Sequence, residues 1–410
     1  MWFYVDSILV RNQVADAATQ QRPRGNLSDL YPRWVGTREL LLHHRNPYGQ
    51  DIDMEIQRGY YGRALDPSRP NDPIDQQGFA YPVYVAFLLA PLIKFPFHGV
   101  QIFFHWLLIS ATAASVWLWL RALRWRPPSF IVCVGVVLAL GSFPAVQGIK
   151  LQQLSLLVAL FLAGSAACVI AGRFFSGGVL LAMATIKPQL AWLLVAWMLV
   201  WCVSNWSSRR RFALGFGLAM FLLLGCSEII LPGWYWNFLQ ALVRYHRYTR
   251  NQSVLLLPWS VSGIFAAAFA LASALLLWKV RRVPVEGEIF VRTVALVLAL
   301  TVLVVPMFAP YNQVLLLPAI LALAKDRKIL NSSSRGVRLM FAAGALALAW
   351  QWAASIALSV AYLLGFREWA LRAWKVPFFL TLAFPVLVFA LSLLDLRLTR
   401  QTDFRRENLI

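Results

Sequence analysis

Between Arg126 and Lys150, between Lys150 and Arg173, between Arg173 and Lys187, and between Lys187 and Arg209, the chain carries no Asp, Glu, Lys or Arg. Consecutive charge-free runs filled by Leu, Val, Ala, Ile and aromatic residues leave few folding options. A surface helix of a water-soluble domain needs a polar face, and these runs lack one. They suit lipid, where a helix satisfies its own backbone and turns apolar side chains outward. With 60% apolar and 14% charged residues over 410 positions, an all-α polytopic membrane protein is expected.

A crossing needs about 20 apolar residues, fewer where helices are sunk in a bundle. Spans are expected near 100–121, 129–146, 151–171, 174–186, 189–204, 211–232, 253–278, 289–308, 311–324, 337–364 and 376–397, about eleven in all. Placing the Arg121–Arg126 turn in the cytoplasm puts Arg173, the Arg209–Arg211 run, Lys279–Arg282, Arg292, Lys325–Arg338 and the Arg397–Arg406 tail on the same side. That side then holds 20 Lys and Arg against eight in the outer loops, as the positive-inside rule requires. The chain divides into an extracytoplasmic leader with juxtamembrane helices (1–98), a transmembrane bundle (99–398) and a cytoplasmic tail (399–410). The segment "YPVYVAFLLAPLIKFPF" (81–97), interrupted by Pro91, Lys94 and Pro96, reads as a juxtamembrane or re-entrant helix. An outer leader implies a helix that carries it across, and "MWFYVDSILVRN" is too short for one. The expectation is a twelfth helix ahead of this start.

The net charge of +20 arises in the membrane portion, since ten of the eighteen acidic residues lie in the first 83 positions beside nine arginines. Topology accounts for that charge, and no nucleic-acid partner is expected. The four cysteines, Cys133, Cys168, Cys202 and Cys226, lie in apolar runs without metal or disulfide spacing and read as packing residues.

Polar residues inside such a chain are the candidates for chemistry. Lys187 joins two short apolar runs, 174–186 and 189–204. Thirteen residues rise only about 20 Å, so the hairpin tip should stop below the membrane surface and hold Lys187 in a cavity. The other reading of Lys187 is a lysine snorkelling at a helix end. Asp29 follows Ser28 ahead of an amphipathic helix through Arg33, Trp34, Thr37, Leu40 and Leu41. It reads either as a helix N-cap or as a general base above the Lys187 cavity. The stretch "RYHRYTRNQS" (244–253) reads as an outer loop whose Arg244, His246, Arg247, Arg250 and Asn251 suit a phosphate and a sugar, or as an interfacial loop anchored by Trp234, Tyr235 and Trp236. Gln152 and Gln153 in "KLQQLS", with Tyr311, Asn312 and Gln313 in "PYNQ", put polar groups at outer span ends, to bind substrate or cap helices. The HHR at 43–45 lacks a third ligand, and no metal is expected there.

Asp29 followed by "YPRWVGTRELLLHHRNPY", then "FAYPVYVAFLLAPL" (79–92), "LQQLSLLVALFLAG" (151–164), "GRFFSGGVLLAMATIKPQ" (172–189) and "PMFAPYNQVLLLP" (306–318), resembles glycosyltransferase family 87. The order and spacing of these loose, apolar motifs carry the likeness through most of the chain. The resemblance implies a GT-C-like bundle and an inverting enzyme of the cell membrane, active on its extracytoplasmic face. It would move a sugar, often mannose, from a polyprenyl-phosphate donor to a glycolipid or glycan acceptor. It also implies that the acidic residue of the first outer loop, here Asp29, is catalytic; the outer-face cations available for the donor phosphate are Lys187, His246, Arg247 and Arg250. A lipid phosphate leaves as a stable anion, so one base suffices without a second carboxylic acid. No cofactor is expected, though a divalent metal has room, and membrane lipid is a partner by location. A transporter or flippase of polyprenyl-linked sugars, or a non-catalytic membrane scaffold, are the competing classes. The asymmetric leader and the lack of inverted halves weigh against transport.

Overall fold

The computed structural model of the chain describes residues 1–23, 25, 28–66, 68–73, 75–249, 271–305 and 309–407, the side chains of 246–249 and 402–407 excepted. Every regular element among them is a helix. At the centre stands Glu288–Val304, in which each residue from Phe290 to Leu303 is buried. Such a run, buried on all sides and apolar apart from Arg292 and two threonines, belongs in a bundle core. Toward the edge, Trp206–Ile230 buries only Arg209, Phe212, Gly215 and Ser227, and Ser129–Gly141 buries nothing. Their apolar side chains face outward, as a lipid-facing layer requires.

Two arginines counted on the cytoplasmic side, Arg209 in an expected loop and Arg292 inside the expected 289–308 span, are part of this packing. Arg292 lies in the second turn of the central helix, ion-paired with Glu288 at 2.7 Å and with Asp326 and Asp395. A guanidinium there needs such partners, because a buried charge left unpaired is strongly destabilising. Arg209 lies inside Trp206–Ile230, 3.9 Å over the Trp201 ring, and donates to the carbonyls of Trp201 (2.6 Å) and Val283 (2.9 Å). Helix Phe174–Ala184 meets Trp206–Ile230 at backbone range: a Cβ on Gly178 would stand 2.2 Å from the Phe212 carbonyl oxygen, and one on Gly215 2.1 Å from that of Phe175. Only glycines allow that approach.

Phe97–Ala122, Trp206–Ile230, Arg335–Leu363 and the stretch Arg367–Gln401 are long and apolar enough to cross a membrane. Ser155–Ile170, Phe174–Ala184 and Pro188–Val203 are apolar but shorter, and the central helix completes the core. The expected 129–146 span breaks into Ser129–Gly141 and Phe143–Lys150, which meet at a 57° bend. Ser142 caps the second piece by accepting from the Ala145 amide, and Pro144 starts it without an N–H to pair. The expected 311–324 span opens as a 3₁₀ turn, Pro310–Leu316, before Leu317–Lys325. Most of the 253–278 span lies outside the described residues, as do 306–308 at the end of the 289–308 span.

The leader folds onto this body. Residues 2–19 form a helix with a π turn at Val5–Val10, held to the late helices by Arg11, which donates to the Tyr362 hydroxyl at 2.5 Å, and by Asn12, which donates to the Leu371 carbonyl at 3.1 Å. Tyr31–His43 and Gln50–Tyr61 follow. The 81–97 segment is not one helix but Val85–Leu89 and a 3₁₀ turn, Ala90–Leu92, that contains Pro91. Tyr31 and Trp34 pack on Phe97, at 4.8 and 5.3 Å between ring centres, and Tyr84 donates to the Thr185 carbonyl at 2.9 Å. These contacts seat the leader over the tip of the Lys187 hairpin.

Candidate active site

Asp29 lies in the turn before Tyr31–His43, and it is not that helix's cap. Leu30 holds the N-cap position, and no side chain caps the helix. The Asp29 amide donates to the Leu151 carbonyl at 2.9 Å, which ties the leader to the turn between Phe143–Lys150 and Ser155–Ile170. Gln153 in that turn donates its side-chain amide to the Asp29 carboxylate and accepts from Lys187 Nζ at 2.9 Å. Lys187 Nζ also donates to Ser155 Oγ at 2.7 Å, and Ser155 donates to Asn312 Oδ1 at 3.0 Å. A continuous polar chain thus runs from Asp29 through Gln153, Lys187 and Ser155 to Asn312. Tyr311 places its ring 4.8 Å from Lys187 Nζ. Four segments distant in sequence meet here: the leader, the 151–154 turn with the start of Ser155–Ile170 that follows it, the hairpin tip and the Pro310–Leu316 turn.

Arg33, in the first turn of Tyr31–His43, faces back toward Asp29. Its guanidinium donates to the Asp29 carbonyl oxygen and lies 4.3 Å over the Tyr81 ring. Tyr60, Tyr61, Tyr81, Tyr245 and Tyr311 all stand within electrostatic reach of Asp29. Asp75 belongs to the same cluster, its backbone carbonyl accepting from the Tyr61 hydroxyl at 2.8 Å and its carboxylate from Gln77 at 2.9 Å. Burial pushes the Asp29 carboxyl above its ordinary range, with Asp75 adding to the rise, while Arg33, Lys187 and the Gln153 hydrogen bond act against it. Asp75 is raised as well, again by burial. The residue as a whole keeps part of its surface accessible, while its carboxyl group is turned inward to Gln153. A carboxylate whose pKa is raised in this way is a better proton acceptor than a free one.

The remaining expected site residues divide. Gln152 takes a left-handed backbone, φ 47°, and its amide bonds to the carbonyls of Ile149 and Lys150, so it closes the preceding helix. Gln313 turns away, donating to the Thr381 carbonyl at 2.9 Å. The loop expected at 244–253 begins as the end of a helix, Trp234–Thr249, and there Arg244 donates to the Tyr48 carbonyl at 2.8 Å. Arg250 and the side chains of His246 and Arg247 lie outside the described residues. Of the three aromatic anchors, Trp234 is buried against Tyr84 and Phe238, whereas Tyr235 and Trp236 are exposed.

Sequence reasoning singled out Tyr311 but not Arg33, Asp75, Tyr60, Tyr61, Tyr81 and Tyr245. Arg33 had a signal, because it follows Asp29 by only four positions, close enough to reach back to it. At 43–45, His43 and Arg45 pair with Glu39 (3.0 and 2.6 Å), and Arg45 reaches Asp51 and Glu55 as well. Among the described residues no group of three His, Cys, Asp or Glu side chains is placed to hold a metal ion.

Comparison with known proteins gives one match. The model of glycosyltransferase family 87 matches residues 79–306, more than half of the chain, including Tyr81, Gln153 and Lys187 of the polar cluster. No curated protein and no solved structure matches.

Proposed function

The chain belongs to glycosyltransferase family 87, and from that membership we propose that this membrane glycosyltransferase moves a sugar, mannose first among candidates, from a polyprenyl-phosphate donor to a glycolipid or glycan hydroxyl. The carrying observation is the Asp29 carboxylate, joined through Gln153 to Lys187 and flanked by Arg33. In this reading Asp29 accepts the proton of the acceptor hydroxyl as its oxygen attacks the anomeric carbon. The bond to the phosphate oxygen breaks, and polyprenyl phosphate leaves with inversion.

Lys187 and Arg33 supply the positive charge that the departing phosphate requires. His246, Arg247 and Arg250 are proposed to add to it from the outer end of the Trp234–Thr249 helix and beyond. Gln153 holds Asp29 and Lys187 at a fixed separation, so base and cation serve opposite ends of the reacting bond. Tyrosine faces suit the C–H surface of a sugar, and their hydroxyls suit its oxygens. Asn312 and Tyr311 close the far side. We place the site on the extracytoplasmic face of the cell membrane, under the leader 1–98, with about eleven spans in the bundle. The 81–97 segment borders the donor's entry.

Transfer of radiolabelled mannose from polyprenyl-phosphate mannose by the purified chain in nanodiscs tests this reading. Activity lost in Asp29→Asn but present in the wild type supports it. A wild type that carries donor across the bilayer without releasing sugar to any acceptor overturns it.

A further inference from the structure

Far from Asp29, the helices Phe97–Ala122, Ser129–Gly141 and Ser155–Ile170 surround a cleft of about 950 Å³. Phe97 packs under the leader on Tyr31, and at 1.5 Å per residue the helix puts Arg121 about 36 Å further on, so the cleft is separate from the site above. Arg121, Arg124, Arg126 and Arg173 line it, together with Trp117 and Trp125. Arg121 stacks on Trp117 at 4.6 Å, and Arg124 donates to the Glu286 carbonyl at 2.9 Å. Among the described residues none of the four arginines has a carboxylate partner. Beyond them the lining is apolar, with Val132 on the outer wall. That wall is the Ser129–Gly141 helix, which buries no residue of its own.

Unneutralised guanidinium groups at the mouth call for an anion with several oxygens, and phosphate fits their fork geometry. A free phosphate would use the arginines and leave the apolar walls unused. An amphiphile uses both, and the tryptophans stand where aromatic rings collect at a membrane interface. We propose that this cleft binds an anionic phospholipid, with its phosphodiester held by Arg121, Arg126 and Arg173 and its acyl chains laid behind the Ser129–Gly141 helix. The assignment concerns a lipid that is not consumed, and it holds whatever the donor and acceptor prove to be.

The test is native mass spectrometry of the full chain, delipidated in a neutral detergent and titrated with dioleoyl phosphatidylglycerol. Wild type is expected to retain the lipid in preference to dioleoyl phosphatidylcholine. At about fivefold per arginine, the triple variant Arg121→Gln, Arg126→Gln, Arg173→Gln should bind on the order of 10²-fold more weakly. Val132→Trp keeps every charge and obstructs the apolar wall, and it too should lose retention. Equal binding of the two lipids, or unchanged retention in both variants, overturns the proposal. Displacement of the lipid by millimolar inorganic phosphate would make this a free-phosphate site and overturn the lipid assignment.

Discussion

Asp29→Asn separates chemistry from architecture because the structure limits what the substitution can cost in stability. The Tyr31–His43 helix takes nothing from the Asp29 side chain, so no cap is lost. The Leu151 tether uses the main chain, as does the Asp29 oxygen that accepts from Arg33. Asparagine can still accept from Gln153 through Oδ1, so a charge-assisted hydrogen bond becomes a neutral one at about 1 kcal/mol. In a chain of this size that shifts the melting temperature by a few degrees at most. Loss of a general base costs about 10²–10⁴-fold in rate, or roughly 3–5 kcal/mol of barrier. Single-turnover transfer from polyprenyl-phosphate mannose, measured beside donor affinity in nanodiscs, reads the two effects separately. We expect near-normal donor binding with transfer lost by at least two orders of magnitude. A variant that turns over within a few-fold of wild type would refute the assignment. Asp75→Asn is the companion measurement, since Asp75 is the nearest rival carboxylate, and if it alone abolishes transfer the base is Asp75.

Four further outcomes follow from the same structure. Lys187→Ala should weaken donor binding as well as turnover, because a cation meets the phosphate before reaction whereas a base acts only during it, and equilibrium binding of the donor by both variants checks the contrast. Asp53, whose carboxyl is raised to about 6 by burial, takes up its proton more readily folded than unfolded, so the wild type loses stability as pH rises from about 4 to 6. Asp53→Asn should therefore raise the melting temperature at pH near 7.5, by up to about 3 kcal/mol of stability, and show no gain near pH 4. Gly215→Val should destabilise by several kcal/mol, because its side chain would meet the Phe175 main chain at the helix crossing, and thermal unfolding in detergent reads the loss. With native thiols replaced, Asn71→Cys should react with an impermeant label on intact cells and Arg210→Cys should not, and the reverse pattern would invert the proposed orientation.

The charge-free runs by themselves determined that this chain builds apolar helices, because one bilayer-sized stretch of hydrophobic sequence has few alternatives. They also placed Lys187 correctly at a short hairpin's tip, since helix length follows from residue count alone. Asp29 could be singled out from sequence, but not its task, because a carboxylate before a helix reads equally as cap or base. The tertiary structure removes the cap reading, by giving the cap position to Leu30 and turning Asp29 toward Gln153. The fates of Gln152 and Gln153 show the limit sharply: adjacent and identical, one closes its own helix and the other joins Asp29 to Lys187. Their difference comes from one left-handed residue in a turn. Arg209 read as a loop charge, and Arg292 as a cytoplasmic-side charge at the start of a span, because hydropathy counts residues and cannot see which helix face meets a partner. Their burial, like the gathering of Arg33, Asp75 and five tyrosines from distant segments, depends on contacts that no local pattern encodes.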